Sequence, residues 1–334
     1  MVQTKEQASP MAQEKFDTDI VVIGGGPGGY VCAIRAAQLG AKVTVVEKEY
    51  LGGTCLNWGC IPSKALIASA DAYQSVLHSN AMGVKIDGKV SFDFDTITSR
   101  KDKIVTTLRG GVGILFKKNG VTHVEGTAKF VDENTIEVEK DGKKQKISAR
   151  NFIVATGSTI IVPKIPGLEG SQKDGIWTSD DAVMAPFVPK KLVIVGGGVI
   201  GVEFAYVFNA LGSDVTVVEM MPKIIPMMDE DCSTELGKLL TRQGVKIMSG
   251  SAVEKLTKNK KAWKVSVKSG TKSESLDADV VLVAVGRRAF TDNLNLEKIG
   301  VKTSRTGIDV GEDMRTNVDN IFAIGDVNGI IQLA

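Results

Sequence analysis

Several things are scarce in this 334-residue sequence, and each scarcity removes a class of protein. No run of eighteen apolar residues occurs, so no bilayer-spanning helix and no membrane partner are expected. The opening MVQTKEQASPMAQEKF has neither the apolar stretch of a secretory signal nor the Arg-rich, acid-poor make-up of a transit peptide. Residues 1–16 are therefore expected to be a polar tail or linker, and the protein cytoplasmic. Excess charge of either sign is missing too: 41 Lys and Arg against 39 Asp and Glu leave +2, which gives no field to hold nucleic acid. Cysteine is limited to Cys32, Cys55, Cys60 and Cys232, too few for a disulfide scaffold. The two histidines, His78 and His123, fall in no ligand pattern, and no metal is expected.

Glycine, by contrast, is plentiful at 36 residues, and its placement is patterned. Residues 19–47, DIVVIGGGPGGYVCAIRAAQLGAKVTVVE, align without a gap with residues 191–219, KLVIVGGGVIGVEFAYVFNALGSDVTVVE. Each copy predicts a short apolar strand, a glycine loop, a helix closed by Gly40 or Gly212, and a second strand ending in an acid. Gly24, Gly26 and Gly29, then Gly196, Gly198 and Gly201, have the spacing for a tight turn, close approach to a pyrophosphate, and close packing of helix on strand. Glu47 and Glu219 stand where a carboxylate accepts hydrogen bonds from an adenosine ribose. A carboxylate there repels the extra phosphate of NADP, so the second copy favours NAD. Two dinucleotides in one chain imply electrons passing between them.

The rest fits around these units. Residues 95–120 have helical periodicity. From Val121 the runs THVEGTAKF, NTIEVEK and KKQKISARNFIVATG predict a small antiparallel sheet inserted into the first unit. A similar meander, KAWKVSVKSG to DADVVLVAVGR, follows the second unit, and residues 287–334 begin a third piece. The fold class is α/β, with two Rossmann-like domains that each carry a meander.

Cys55 and Cys60 pose a geometric problem. Five positions apart on an ideal helix, their Cα atoms would be roughly 8.6 Å apart, beyond the roughly 6.8 Å that a disulfide spans. Either they never pair, or the backbone bends. A zinc site would need two more ligands that are not at hand, and inert buried thiols are the other alternative. Cys32 is expected to be a small core residue and Cys232 incidental.

Taken in order, GGTCLNWGCIPSK (52–64), ATGS (155–158), GGGVIGVE (196–203), AVGRR (284–288) and NIFAIGDV (320–327) resemble the flavoprotein disulfide reductases. Within them the sequence is most similar to the members that oxidise dihydrolipoyl groups with NAD, and the resemblance covers residues 17–334. It implies FAD on the first unit and NAD on the second. Residues 17–158 would form the first part of the FAD domain and 159–286 the NAD domain, with 287–334 returning to the FAD domain and starting a central one. For FAD it implies Gly24, Gly26, Gly29, Glu47, Gly53, Thr54, Lys64, Gly126, Ala128, Thr156, Gly157, Asp326 and Ala334. For NAD it implies Gly196, Gly198, Gly201, Glu219, Val253 and Gly286. Lys64 would sit near the flavin N5 and pair with Glu203; Cys60 would face the flavin and Cys55 the dithiol substrate. Gly52, Gly53 and Gly59 would then permit the bend that closes the cysteine pair.

Lipoyl domains of 2-oxo acid dehydrogenase complexes are the implied partners. The family's catalytic base, a His followed by a Glu, belongs to a C-terminal dimerisation domain that is expected to be absent here, so turnover and the homodimer are expected to be weakened. The nearby alternatives are a disulfide or mercuric reductase using the same cofactors, and a non-catalytic flavin-binding protein.

Overall fold

The computed structural model describes residues 16–170, 172–259 and 262–332. The first βαβ unit is β1 (Thr18–Ile23), α1 (Pro27–Gln38) and β2 (Val43–Glu47). Val21 and Val22 are apolar on both faces and fully buried, as the centre of a parallel sheet requires. Pro27 starts α1, where its missing amide costs nothing, and Gly40, at φ +95°, closes it.

Between β2 and the next parallel strand lie α2 (Gly53–Asn57), α3 (Cys60–Leu77) and α4 (Phe94–Asn119). The Asp93 side chain accepts from the amides of Asp95 and Thr96 and so caps α4. Then come β3 (Thr122–Glu125), β4 (Thr127–Asp132), β5 (Thr135–Lys140), β6 (Lys143–Val154) and β7 (Ser158–Ile160). The run THVEGTAKF is not one meander strand: β3 pairs parallel with β2, whereas β4 pairs antiparallel with β5. Gly126 makes the break at φ +148°, where a Cβ would lie 2.7 Å from Val138. β6 serves both arrangements, since residues 143–148 pair antiparallel with β5 and 149–154 pair parallel with β1.

The second unit contains β8 (Ile176–Trp177), α5 (Ser179–Val183), β9 (Lys191–Val195), α6 (Val199–Ala210), β10 (Asp214–Val218), α7 (Glu230–Arg242) and β11 (Lys246–Met248). It continues with β12 (Ser251–Asn259), β13 (Ala262–Ser269), β14 (Lys272–Ala278) and β15 (Val280–Val283). Its parallel sheet has the order β11-β10-β9-β15-β8, and β12-β13-β14 is the antiparallel meander. The run DADVVLVAVGR therefore divides: Ala278 ends β14, and the four fully apolar residues after Asp279 enter the parallel sheet beside β9.

The chain returns through β16 (Arg287–Ala289), which pairs with β7, and through β17 (Ile321–Ala323), which pairs parallel with β6. Leu294, Ile299, Ile308 and Val327 pack with Phe130 and Phe152, so this last segment completes the first unit's core. Helix packing and a buried ammonium also join the units. α3 lies on α6, and on α4 the fully buried Lys101 donates to the Val183 carbonyl at the end of α5 (2.9 Å). Among the described residues no helix is long and apolar enough to cross a membrane.

Candidate active site between the two nucleotide units

Only glycine works at the first and third positions of each loop, and at the first a Cβ on Gly24 would lie 2.2 Å from the Ala155 carbonyl oxygen and one on Gly196 2.4 Å from that of Ala284. A Cβ on Gly29 would lie 1.9 Å from the Gly24 carbonyl oxygen, and one on Gly201 would lie 2.0 Å from that of Gly196; these glycines let each helix press on its strand. A Cβ on Gly26 would meet only Gly53 Cα at 3.7 Å, and one on Gly198 nothing within 4 Å. That open space lies at the starts of α1 and α6, whose first turns have no side-chain cap, and free amides with an open approach suit a diphosphate.

The acids are held alike. Glu47 accepts from the amides of Gly25 (2.7 Å) and Glu49 (2.8 Å); Glu219 accepts from those of Gly197 (2.6 Å) and Met221 (2.7 Å). A carboxylate fixed by two backbone donors is pre-oriented for a ribose.

A cleft of about 840 Å³ runs from the first glycine loop to the second unit. Of the residues implied by the sequence, it brings together Gly24, Gly26, Glu47, Gly53, Thr54, Cys55, Cys60, Lys64, Gly126, Ala128, Thr156, Gly157, Glu203 and Asp326. Gly29 is used in packing, and Ala334 lies outside the described residues. Gly196, Gly198, Gly201, Glu219, Val253 and Gly286 belong to the second unit and line no part of this cleft. There the amide of Ser251 bonds to the Glu219 carbonyl (2.9 Å) and so brings the start of β12, with Val253, to the end of β10.

The helix break answers the question posed by the cysteines. Gly52 and Gly53 have φ of +95° and +56°, and a Cβ on Gly53 would stand 2.6 Å from Gly26 Cα, so the cysteine turn rests directly on the glycine loop. α2 ends at Asn57, Trp58 and Gly59 leave helical geometry, and α3 restarts at Cys60. Cys55 and Cys60, both free thiols, are thereby brought close enough for Cys60 to perturb the Cys55 thiol. Burial above all, then Cys60, pushes the Cys55 thiol up to about 12, against a small opposing pull from Lys64. Cys232 is exposed, and Cys32 is half-buried with its thiol raised by burial.

One turn after Cys60, Lys64 reaches across to Glu203 of α6 at 2.5 Å. The ammonium side chain is 58% exposed and the carboxylate 25%, so the pair adds little stability; its effect is to place a cation in the cleft. Farther along the same two helices, Tyr206 donates to Asp71, and Gln74 Nε2 donates to the Ala210 carbonyl at 2.6 Å. Burial first, then Asp71, pushes the Tyr206 hydroxyl up to about 12. His78 bonds the Gln74 carbonyl (2.9 Å) and His123 packs on Phe116; neither lines the cleft.

Several cleft residues carried no assignment from the sequence. Lys48 sits over the Phe290 ring, 4.0 Å from its centroid, and Phe290 accepts from Thr156 Oγ1 at 2.7 Å. Asp180 lines the cleft with its carboxyl pushed up by burial, while Arg287 pulls it down. Arg287 and Ser158 stand inside the quoted motifs AVGRR and ATGS, which was the signal available for them.

Comparison with known proteins agrees with this arrangement. The chain is 44% identical over 317 residues to a dihydrolipoyl dehydrogenase of Acholeplasma laidlawii, covering 95% of this chain and 91% of that protein. It is 44% identical over 317 residues to the mitochondrial dihydrolipoyl dehydrogenase of Pisum sativum, covering 93% of this chain and 62% of that one. With the dihydrolipoamide dehydrogenase of Chaetomium thermophilum the identity is 43%, again covering 62% of the relative, so the chain spans under two thirds of these longer proteins. Among solved structures, a copper(II) complex of the HOCl-induced flavoprotein disulfide reductase RclA from Escherichia coli superposes with a TM-score of 0.83 at 30% identity, covering 96% of this chain and 68% of that one. The profile described as pyridine nucleotide-disulphide oxidoreductase matches residues 18–334. With that profile matched over nearly the whole chain and with relatives at 44% identity, the chain belongs to the pyridine nucleotide-disulphide oxidoreductase family.

Proposed function

We propose that this chain is the FAD- and NAD-binding part of a dihydrolipoyl dehydrogenase, in which residues 17–158 and 287–334 hold FAD and residues 159–286 hold NAD. The Lys64–Glu203 pair carries the reading: it is one helical turn from Cys60, and its two halves come one from each nucleotide unit. FAD bound in the cleft would supply a carrier able to exchange two electrons with a nicotinamide on one side and a disulfide on the other.

The chain's own residues do the rest. The amides at the start of α1 would hold the FAD diphosphate and Glu47 would accept from its ribose, with Gly53, Thr54, Gly126, Ala128, Thr156, Gly157 and Asp326 lining the cleft around it. Gly196, Gly198, Gly201, Glu219, Val253 and Gly286 hold NAD. Lys64 offers positive charge where the reduced ring becomes anionic, and Glu203 keeps that ammonium compensated and aimed. Cys60, at the start of α3, is the inner sulfur, and Cys55, on α2, is the outer one.

The chemistry balances. A dihydrolipoyl dithiol becomes its disulfide as the Cys55–Cys60 disulfide becomes two thiols, and the two electrons leave as hydride on NAD with release of one proton. The partners are lipoyl domains of 2-oxo acid dehydrogenase complexes. Neither His78 nor His123 lines the cleft, so neither is assigned as the base for the dihydrolipoyl thiol.

The test is anaerobic addition of NADH to the FAD-loaded chain. With about two equivalents of NADH per flavin, whose four electrons reduce both the disulfide and the flavin, bleaching of the yellow absorption with about two new thiols per flavin is expected. An unchanged spectrum overturns the reading in favour of a non-catalytic flavin-binding protein.

A further inference from the structure

Arg287 begins β16, the strand that returns from the second unit, and its guanidinium touches several parts of the site at once. Nε donates to Ser158 Oγ and Nη2 to the Ser158 carbonyl, both at 2.8 Å, on the outgoing strand β7. Nη2 also donates to Thr54 Oγ1 at 3.4 Å, and Thr54 is the residue before Cys55 on α2. Ser158 Oγ passes the link on to Asp326 Oδ2 at 2.6 Å. Across the cleft the same positive charge faces Asp180 of α5.

The β7–β16 ribbon is only three residue pairs long, and both strands that cross between the units pass through it. We propose that Arg287 is a positioning residue for the Cys55 turn: it ties Thr54 to the ribbon from which the second unit hangs, so that rotation of that unit moves the outer cysteine. A planar fork can hold both strands and still reach Thr54, whereas an ammonium is a single point donor. The Thr54 contact is the longest of the three and close to the limit of a hydrogen bond. A shift of a few tenths of an ångström at the ribbon would break it while leaving the Ser158 bonds made.

The proposal rests on reading Cys55 and Cys60 as a redox pair. Its test is the alkylation rate of Cys55 by iodoacetamide in the dithiol-reduced, flavin-loaded chain, followed by peptide mass spectrometry with exposed Cys232 as internal standard. Arg287→Lys and Thr54→Val are each expected to raise the Cys55 rate about fivefold or more as the turn loosens. Thr54→Ser, which restores the hydroxyl, should stay within about twofold of wild type. The Arg287→Lys/Thr54→Val double variant should be no faster than the faster single one, because both remove the same link. Equal rates in all variants overturn the proposal, as do effects that multiply in the double variant. If Arg287→Lys loses its flavin, Thr54→Val against Thr54→Ser decides alone. Failure of NADH to bleach the wild-type flavin would remove the redox reading without touching the alkylation result, which separates the two failures.

Discussion

The two nucleotide units follow one plan and diverge at one place. In each, a parallel strand, a glycine loop, a helix and a second strand lead to a crossover, after which β3 or β11 joins the sheet edge parallel to its neighbour. In the second unit the crossover is one amphipathic helix, α7, with Glu230 and Asp231 in its first turn. In the first it is α2, α3 and α4, and these carry Thr54, Cys55, Cys60 and Lys64. On the proposed reading the loops bind and the crossover reacts. The helices after the glycine loops differ accordingly. α6 has seven buried residues because it is covered by its own sheet and by α3, whereas α1 has two, and its start faces the cleft.

Four kinds of change would put this contrast to the test. The largest effect is expected from Cys55→Ser, which deletes what only the first crossover has. Disulfide exchange should fall by about a thousandfold or more, since a hydroxyl is no substitute for a thiolate, while NADH still bleaches the flavin in stopped flow. Next, Lys64→Gln should slow that bleaching by roughly 100-fold, the size of effect seen when one preorganised charge partner is removed, with bound FAD retained.

Third, Gly29→Ala and Gly201→Ala introduce the same clash in the two units, each costing about 1–3 kcal/mol where backbone must move. FAD content should drop in the first and NAD affinity in the second, as read by flavin absorbance and by isothermal titration. Likewise Glu219→Gln should weaken NAD by about tenfold, the worth of a charge-assisted hydrogen bond, and leave FAD in place; Glu47→Gln should do the reverse.

The smallest effect concerns pH. Cys55, ordinarily at 9.0, is raised to about 12 by burial and by Cys60. A raised folded value means that the stability this group adds is complete below pH 9 and is lost as pH climbs towards 12. The urea midpoint of the dithiol form should therefore fall between pH 9 and 11, and fall less in Cys55→Ala.

Much of this was legible in the sequence because glycine spacing and strand patterning are local. The paired fingerprints, their acids and the presence of meanders follow from residues within thirty positions of each other. The strands that left a meander for a parallel sheet, Thr122–Glu125 and Val280–Val283, were not separable, because pairing direction depends on a neighbour distant in sequence. Gly126 makes one of the breaks, and its positive φ is a fact of the fold. The closeness of the two cysteines had to be inferred from a resemblance, since ideal-helix spacing alone placed their Cα atoms too far apart for a disulfide. The Arg287–Ser158–Thr54 link joins residues far apart in sequence, and nothing local announces it.

The helix break at Trp58 and Gly59 has a consequence for how this protein can vary. Because α3 starts afresh at Cys60 and is bonded to α6 at Lys64, Asp71 and Gln74, it acts as a ruler whose zero is a sulfur atom. One residue inserted between Cys60 and Lys64 would swing the ammonium about 100° around the helix axis and advance it about 1.5 Å, and every later mark would miss its partner. The exposed loop at residues 83–91, past the end of the ruler, can lengthen or shorten without moving any of them. Length variation among natural or designed variants should therefore gather in that loop and stop abruptly at Cys60.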